Sequence, residues 1–420
     1  MNKGKGTEGI LTGYRVLDVT DEKGLLCGKV LGDLGADVIK IEPPGGSPAR
    51  DIGPFYKDIP DRQKSLFWFF TNTSKRGITL NLETVDGRDI FNRLVKTAHF
   101  VIESYQPGYM AGLGLGYEDS ERINPGIIMT SITPFGQKGP YSHYKATDLT
   151  LAAMGGLQHI HGEEDRAPMR IGQPQSFFHG SVHGALGSMV AHYHRVLTGE
   201  GQHVDVSCQQ ALSLTLMNAI ELWDVNKRNY RRSGAFSFLG GIVKQRAIWP
   251  CKDGFVYLRI IGGAAKGPRM SSERLTKWAN DEGLALEIKD FDWTQFDYAL
   301  TPKETWETIQ TGILAFLATK TKDELFRAAV TEGLFMATSN TTEDVVKSPQ
   351  LKVRDFWVDV QHDELGQAIT YPGAPVKMAK APWRIQRRAP LIGEHNEEVY
   401  LDELGFTREQ LVTMKACRII

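Results

Sequence analysis

The sequence predicts an α/β protein whose larger part is an open, mostly parallel sheet, followed by a smaller mixed domain. Short apolar runs alternate with helix-periodic segments from Tyr14 to Ile132, and the connections between them are short. Around residue 227 the composition turns basic, Gly-rich and aromatic, which marks a boundary.

Residues 13–19, GYRVLDV, read as a buried strand; apolar positions Leu25, Leu26, Val30, Leu31 and Leu34 then follow at helical spacing up to a glycine stop. Residues 36–42 form a second strand, ended by Pro43-Pro44-Gly45-Gly46. A strand, helix, strand unit this compact requires parallel pairing. The alternation continues with strands at 77–82, 100–105 and 127–132 and helices at 84–97 and 117–124. Residues 148–156 and 178–198 read as helices, the second rich in the Gly and Ala that permit close packing. A strand at 202–207 and a long apolar helix at 209–226 complete this part. Beyond it, 248–261 reads as two strands about the turn Cys251–Gly254, ending in a Gly/Ala loop at 262–268. Helical segments fill 271–345. The expected division is 1–226, 227–345, and 346–420 returning to the large domain.

Charge narrows the partners. With 49 Lys and Arg against 50 Asp and Glu, a net charge of -1 provides no field for nucleic acid or an anionic membrane. Four scattered cysteines without a CxxC exclude a disulfide framework and a zinc knuckle. The N-terminal stretch lacks an apolar leader segment and no 18-residue apolar run occurs, so a cytoplasmic protein is expected.

Eight of eleven histidines fall between positions 143 and 203, and His179 with His183 share a helical face, while His159 and His161 share one face of a strand. No carboxylate or cysteine completes a metal-ligand spacing, so no metal is expected. Gly112–Gly116 follows a helical stretch rather than a strand and reads as a turn. Gly180-Ser181-Val182-His183-Gly184 puts its serine off the centre that a nucleophile elbow demands. Glu163, Glu164 and Asp165 read as a solvated turn, and the aromatic run Leu66–Phe70 as core. Residue types alone therefore describe a large α/β protein without naming a reaction.

The order of segments says more. GYRVLDVT, LGDLGADVIKIEPPGG, NTSKRGITLNLETVDGRDIFNRLV, the 103–140 stretch, TGEGQHVDVSCQQAL and APLIGEHNEEVYLDELGF together resemble the family III CoA transferases along nearly the whole chain. The resemblance implies a Rossmann-like large domain built from both termini, an inserted smaller domain, and an interlocked, ring-like dimer. It implies a CoA thioester as substrate and no permanently bound cofactor. In the family an Asp carboxylate attacks the acyl-CoA and carries the CoA as an enzyme thioester before passing it to the acceptor acid.

At the matching position, in Arg170–Ser181, stands Phe177, and no Asp or Glu occurs between Asp165 and Glu200. Positions that meet CoA in the family also differ: Pro43, Ser104, Gln106 and Gly112 stand where basic or amide side chains are usual. Lys75, Arg76 and Lys145 match and are the residual candidates for CoA phosphates, and Gly262 and Gly263 match a mobile loop that closes over the thioester. Heteromeric members such as succinyl-CoA:benzylsuccinate CoA transferase pair an Asp-bearing subunit with an Asp-less one, and this chain resembles the Asp-less kind. The expected assembly is a heterodimer or heterotetramer with an Asp-bearing paralogue, moving CoA between an acyl-CoA such as succinyl-CoA and an organic acid, an aryl-substituted succinate among the options. The alternatives are a homomeric racemase or lyase using His179, His183 or Asp148 as acid and base, although Thr147 stands where racemases carry His, and a non-catalytic acyl-CoA-binding scaffold.

Overall fold

Val16 and Leu17 are adjacent, lie on opposite faces of one strand, and are both fully buried. A strand that is apolar on both sides needs cover on both sides, which is the condition of a parallel sheet wrapped by helices. The computed structural model describes residues 8–239, 243–297 and 299–420. The start of the N-terminal stretch and part of the Gly-rich boundary at 227–245 lie outside the described residues.

The chain runs β1 (Arg15–Asp18), α1 (Leu25–Asp33), β2 (Asp37–Glu42), α2 (Leu66–Thr71), β3 (Lys75–Thr79), α3 (Val85–Val95), β4 (Phe100–Glu103), α4 (Tyr109–Gly112), α5 (Tyr117–Ile123) and β5 (Ile128–Thr133). After α6 (Asp148–Met154) and the long α7 (Ser176–Thr198), β6 (Gln202–Ser207) completes a six-stranded parallel sheet of order β3-β2-β1-β4-β5-β6. Leu17, Ile39, Ile78, Val101 and Met129 form a core with Ile90, Phe91 and Leu94 of α3. Their sequence neighbours Val16, Val38, Phe100 and Ile128 form a second core with Cys27 and Leu31 of α1 and Ala185 of α7. Each large apolar side chain so buried contributes roughly 1.5–3 kcal/mol. Close approach of α7 depends on Gly180 and Gly184, where an added Cβ would lie 2.4 Å from Cys208 Sγ and 2.7 Å from Ile132 Cδ1.

The expected single helix at 209–226 is broken into α8 (Cys208–Ser213), a short 3-10 turn and α9 (Ala219–Asn226). Met217 takes a left-handed φ of 51°, which no continuous helix accepts. The break coincides with the division of the chain into two compact units: one holds Met1–Leu157, Ile171–Met217 and Pro349–Ile420, the other Gln158–Arg170 and Asn218–Ser348. Residues 158–170, placed by sequence in the first domain, group with the second unit.

That unit contains α9, the hairpin β7 (Phe236–Leu239) and β8 (Val243–Arg246), then β9 (Ile248–Cys251), β10 (Gly254–Leu258), α10 (Lys266–Asp281), α11 (Lys303–Leu317), α12 (Lys322–Glu332), β11 (Met336–Ser339) and α13 (Thr342–Val346). The antiparallel sheet β11-β10-β9 and α10 to α12 enclose Trp249, Val256, Leu258, Leu275, Ile313 and Phe316. The chain then returns to the first unit through α14 (Pro349–Val353), the hairpin β12 (Trp357–His362) and β13 (Gln367–Pro372), and α15 (Arg408–Ala416). There Tyr400 and Leu411 enter the core beside α3, and the Tyr400 hydroxyl donates to the Thr79 carbonyl at 2.6 Å.

Candidate functional site

Neighbouring strands β1 and β4 connect to opposite sides of the sheet, so the order reverses between them, and a crevice forms where their C-terminal ends diverge. β1 delivers Asp18 to that end, fully buried with Lys40 and Lys75. Lys75 Nζ donates to Asp18 Oδ2 at 2.8 Å, to the Leu25 carbonyl at 2.7 Å and to Asn72 Oδ1 at 2.9 Å. Lys40 Nζ donates to Asp18 Oδ1 at 3.3 Å and to the Thr20 carbonyl. Burial opposes ionisation of Asp18, but the two ammonium groups override it and hold the carboxyl at about 2. The two lysines thereby grip both ends of the loop from β1 to α1.

Within that loop the Asp21 N–H donates to Ser104 Oγ at 2.8 Å, and the Ser104 hydroxyl returns a bond to Asp21 Oδ1 at 2.7 Å, closing the reversal point. Lys23 pairs with Asp21, and its carbonyl accepts from the Ser181 hydroxyl of α7 at 2.9 Å. Glu103, at the end of β4, is pushed up to about 7 by burial, against the bonds it accepts from Ser131 and from the Tyr105 N–H. Burial and the Asp21 charge also raise Glu22. A cavity of about 330 Å³ opens beside these strand ends, with Asp21, Glu42, Pro43, Glu83, Tyr105 and Tyr109 in its wall and, among the described residues, no Lys, Arg or His. Glu42 itself is tied to the buried Arg50 by two bonds of 2.7 Å. Among the described residues the wall thus offers no cation to a phosphate.

The resemblance-derived cations have other employment. Lys75, expected at CoA phosphates, is buried in the Asp18 cluster. Arg76 donates to both oxygens of Asp37 at 2.8 and 2.7 Å and to Glu398 and Glu403 at 2.8 and 2.6 Å, pinning the C-terminal segment to β3. The strand expected at 77–82 starts at Lys75 and ends at Thr79, the ion pairs of Lys75 and Arg76 supplying their buried charges with partners. Lys145 is exposed and has no partner among the described residues. Ser104 is buried by its bonds to Asp21, Gln106 is exposed, and Gly112 ends α4.

Phe177 is the second residue of α7, half-buried against the core that holds Leu151 and Cys208. Its N–H donates to Asp148 Oδ2 at 3.1 Å, the Gln175 N–H donates to Asp148 Oδ1 at 3.1 Å, and the Ser176 hydroxyl donates to the Asp148 carbonyl at 2.9 Å. Asp148 thus takes the Gln175 and Phe177 N–H groups and sets a carboxylate against the positive end of α7. Thr147 caps α6 by accepting from the Thr150 N–H. Burial, and then the neighbouring His183, lower the His179 pKa.

Gly262 and Gly263 lie in the second unit. A Cβ on Gly262 would meet Phe296 Cβ at 2.4 Å and the Trp293 carbonyl oxygen at 2.6 Å, and the Gly263 N–H donates to that carbonyl at 2.8 Å. Packing rather than mobility requires glycine there. The expected loop also ends early, since Lys266, Gly267 and Pro268 open α10. His159 sits in a 3-10 turn at Gln158–Ile160 instead of a strand. The aromatic run 66–70 forms most of α2, with Trp68 and Phe69 buried. Among the described residues no group of three or more His, Cys, Asp or Glu is placed to hold a metal ion, and no helix is long and apolar enough to cross a membrane. The Asp18 cluster and the capping role of Asp148 escaped sequence reading, because both join segments far apart in the chain.

A doubly wound sheet closed by its own C-terminal segment, with an inserted α+β unit, is the architecture of family III CoA transferases. The model described as CoA-transferase family III matches residues 11–396, and the chain belongs to that family. It is 35% identical to the Thauera aromatica succinyl-CoA:(R)-benzylsuccinate CoA-transferase subunit BbsE over 94% of both chains. It is 30% identical to the succinate–glutarate CoA-transferase of Agrobacterium fabrum, over 93% of this chain and 94% of that one. A CaiB/BaiF family protein from Brucella suis has a similar fold, with a TM-score of 0.80 and 25% identity over 94% of this chain and 99% of that one.

Proposed function

We propose that this chain is the non-catalytic subunit of a heteromeric CoA transferase that moves CoA between succinyl-CoA and an organic acid, an aryl-substituted succinate being the acceptor class most in keeping with the benzylsuccinate-enzyme relative. The observation that carries the reading is Phe177 at the start of α7, where the resemblance expects the nucleophilic Asp, while the nearest carboxylate, Asp148, is bound to the helix main chain. A phenyl ring can neither attack a thioester nor carry CoA. The strand-end cavity supports the same reading, because CoA phosphates find no cation in its wall among the described residues.

The partner is an Asp-bearing paralogue of the same fold, joined as an interlocked pair. Phe178, Val182, Leu186, Val190, Tyr193 and Leu197 make an exposed apolar stripe along α7, a surface of the kind that a second chain covers. The chain purified alone is expected to show no CoA transfer from succinyl-CoA and to aggregate, and co-expression with the paralogue is expected to restore both solubility and turnover. Turnover by the lone chain, or a stable monodisperse monomer, would refute the proposal.

A further inference from the structure

A second cavity, of about 420 Å³, lies in the inserted unit beside α9 and the segment that follows it. Three guanidinium groups, from Arg228, Arg231 and Arg232, share its wall with His159, Leu222 and Tyr230. Arg232 is held in place, since its Nε donates to the Glu163 carbonyl at 3.4 Å and its Nη1 to the His159 carbonyl at 3.1 Å. Arg228 and Arg231 are exposed and have no hydrogen-bond or ion-pair partner among the described residues. The carboxylate in the wall, Glu164, accepts from Lys244 Nζ at 2.9 Å through Oε2, and it feels the Arg231 charge without making a hydrogen bond or ion pair to it among the described residues.

This concentration of positive charge stands out in a chain whose net charge is -1. Guanidinium groups gathered around a concavity repel one another, and an anion placed between them relieves that repulsion. Their planar forks match carboxylate and phosphate oxygens in pairs. A volume in the few-hundred Å³ range suits a small molecule, and Leu222 with Tyr230 supplies an apolar edge for its carbon frame.

We propose that this cavity binds a small polyanion carrying two oxyanion groups, with Arg228 and Arg231 as its principal ligands and Arg232 as the fixed third. The site is distinct from the strand-end crevice and does not rest on the subunit proposal. Dicarboxylates and diphosphates share the required chemistry, so succinate and inorganic pyrophosphate serve as the two probes.

Titration calorimetry on the full chain, together with its partner where the two co-purify, is expected to show saturable binding of at least one probe that weakens as salt is raised. The exposed pair allows substitution without disturbing a core, and R228Q/R231Q is expected to bind at least tenfold more weakly, as loss of charge-assisted bonds requires. R228K/R231K, which keeps the charge and loses the fork, should fall between the two. Binding of succinate alone assigns the site to carboxylates, and binding of pyrophosphate alone assigns it to phosphates. Failure of both probes to bind, or equal binding by R228Q/R231Q, overturns the proposal.

Discussion

The main-chain N–H of Phe177 donates to the carboxylate of Asp148 at 3.1 Å, joining two residues 29 positions apart. The same carboxylate takes the Gln175 N–H, so one acid closes the N-terminus of a 23-residue helix whose first turn holds no acid of its own. The position where a nucleophile is expected is thus occupied by an aromatic ring, and the acid beneath it serves the backbone.

Replacing Phe177 by Asp is expected to leave the lone chain without CoA-transferase activity. The new carboxylate would stand on a residue whose own N–H already holds the Asp148 carboxylate, and a like charge that near raises its pKa and disfavours the ionised nucleophile. The cavity wall would still offer no cation to CoA phosphates. A transfer assay combined with mass analysis for an enzyme-bound CoA thioester checks both steps.

Asp148→Ala should lower unfolding stability by roughly 1 kcal/mol, the usual worth of a helix N-terminal cap. Asp148→Asn, which keeps one acceptor oxygen, should lose less. Urea denaturation of the two variants measures the difference.

Asp18→Asn should be among the most damaging single changes in the first unit, costing on the order of 3–5 kcal/mol, because it leaves the Lys40 and Lys75 ammonium groups buried without a counter-charge. Lys75→Met should cost less, since Asp18 keeps Lys40. The carboxyl sits at about 2 in the fold against an ordinary 3.8, so the unfolded chain takes up the proton first as the pH falls. This stabilisation is therefore present above about pH 4 and lost as the pH falls toward 2, and acid unfolding of Asp18→Asn should lack that component.

Glu103 has the opposite sign. Its carboxyl is raised from 4.5 to about 7, so the fold keeps the proton that the unfolded chain releases. Stability is full below about pH 4.5 and declines as the pH rises through 7, by about 3 kcal/mol in all. Glu103→Gln should flatten this decline, which thermal melts between pH 5 and 8 would record.

Gly262→Ala should destabilise the inserted unit by about 1–3 kcal/mol, since the methyl group meets Phe296 Cβ and the Trp293 carbonyl well inside contact distance. A solvent-exposed mobile loop would tolerate the change. Unfolding monitored by the fluorescence of the neighbouring Trp293 distinguishes the two.

Much of the fold was legible because parallel strands buried on both faces leave continuous apolar runs, as at Val16-Leu17 and Val38-Ile39. Caps such as Thr84, which accepts from the Gly87 N–H, placed helix starts closely. The break at Met217 was illegible, since an apolar run from 209 to 226 carries helical periodicity whether or not the backbone turns aside within it. The hairpin from Trp357 to Pro372 gave no comparable signal, with Val360 and Tyr371 its buried apolar positions.

By itself the sequence determined the strand-helix alternation, the aromatic residue at position 177, and the family resemblance, because each rests on short local segments whose order along the chain can be read directly. What each charged side chain does was decided only by the tertiary structure. Lys75 and Arg76 looked available for phosphates, yet Asp18, Asp37, Glu398 and Glu403 reach them from remote segments. Among the described residues Arg228 and Arg231, equally charged on paper, receive no such hydrogen bond or ion pair. A charge is neutralised or left free by which distant carboxylates the fold brings within a few ångströms, and local periodicity records only which face of an element is buried.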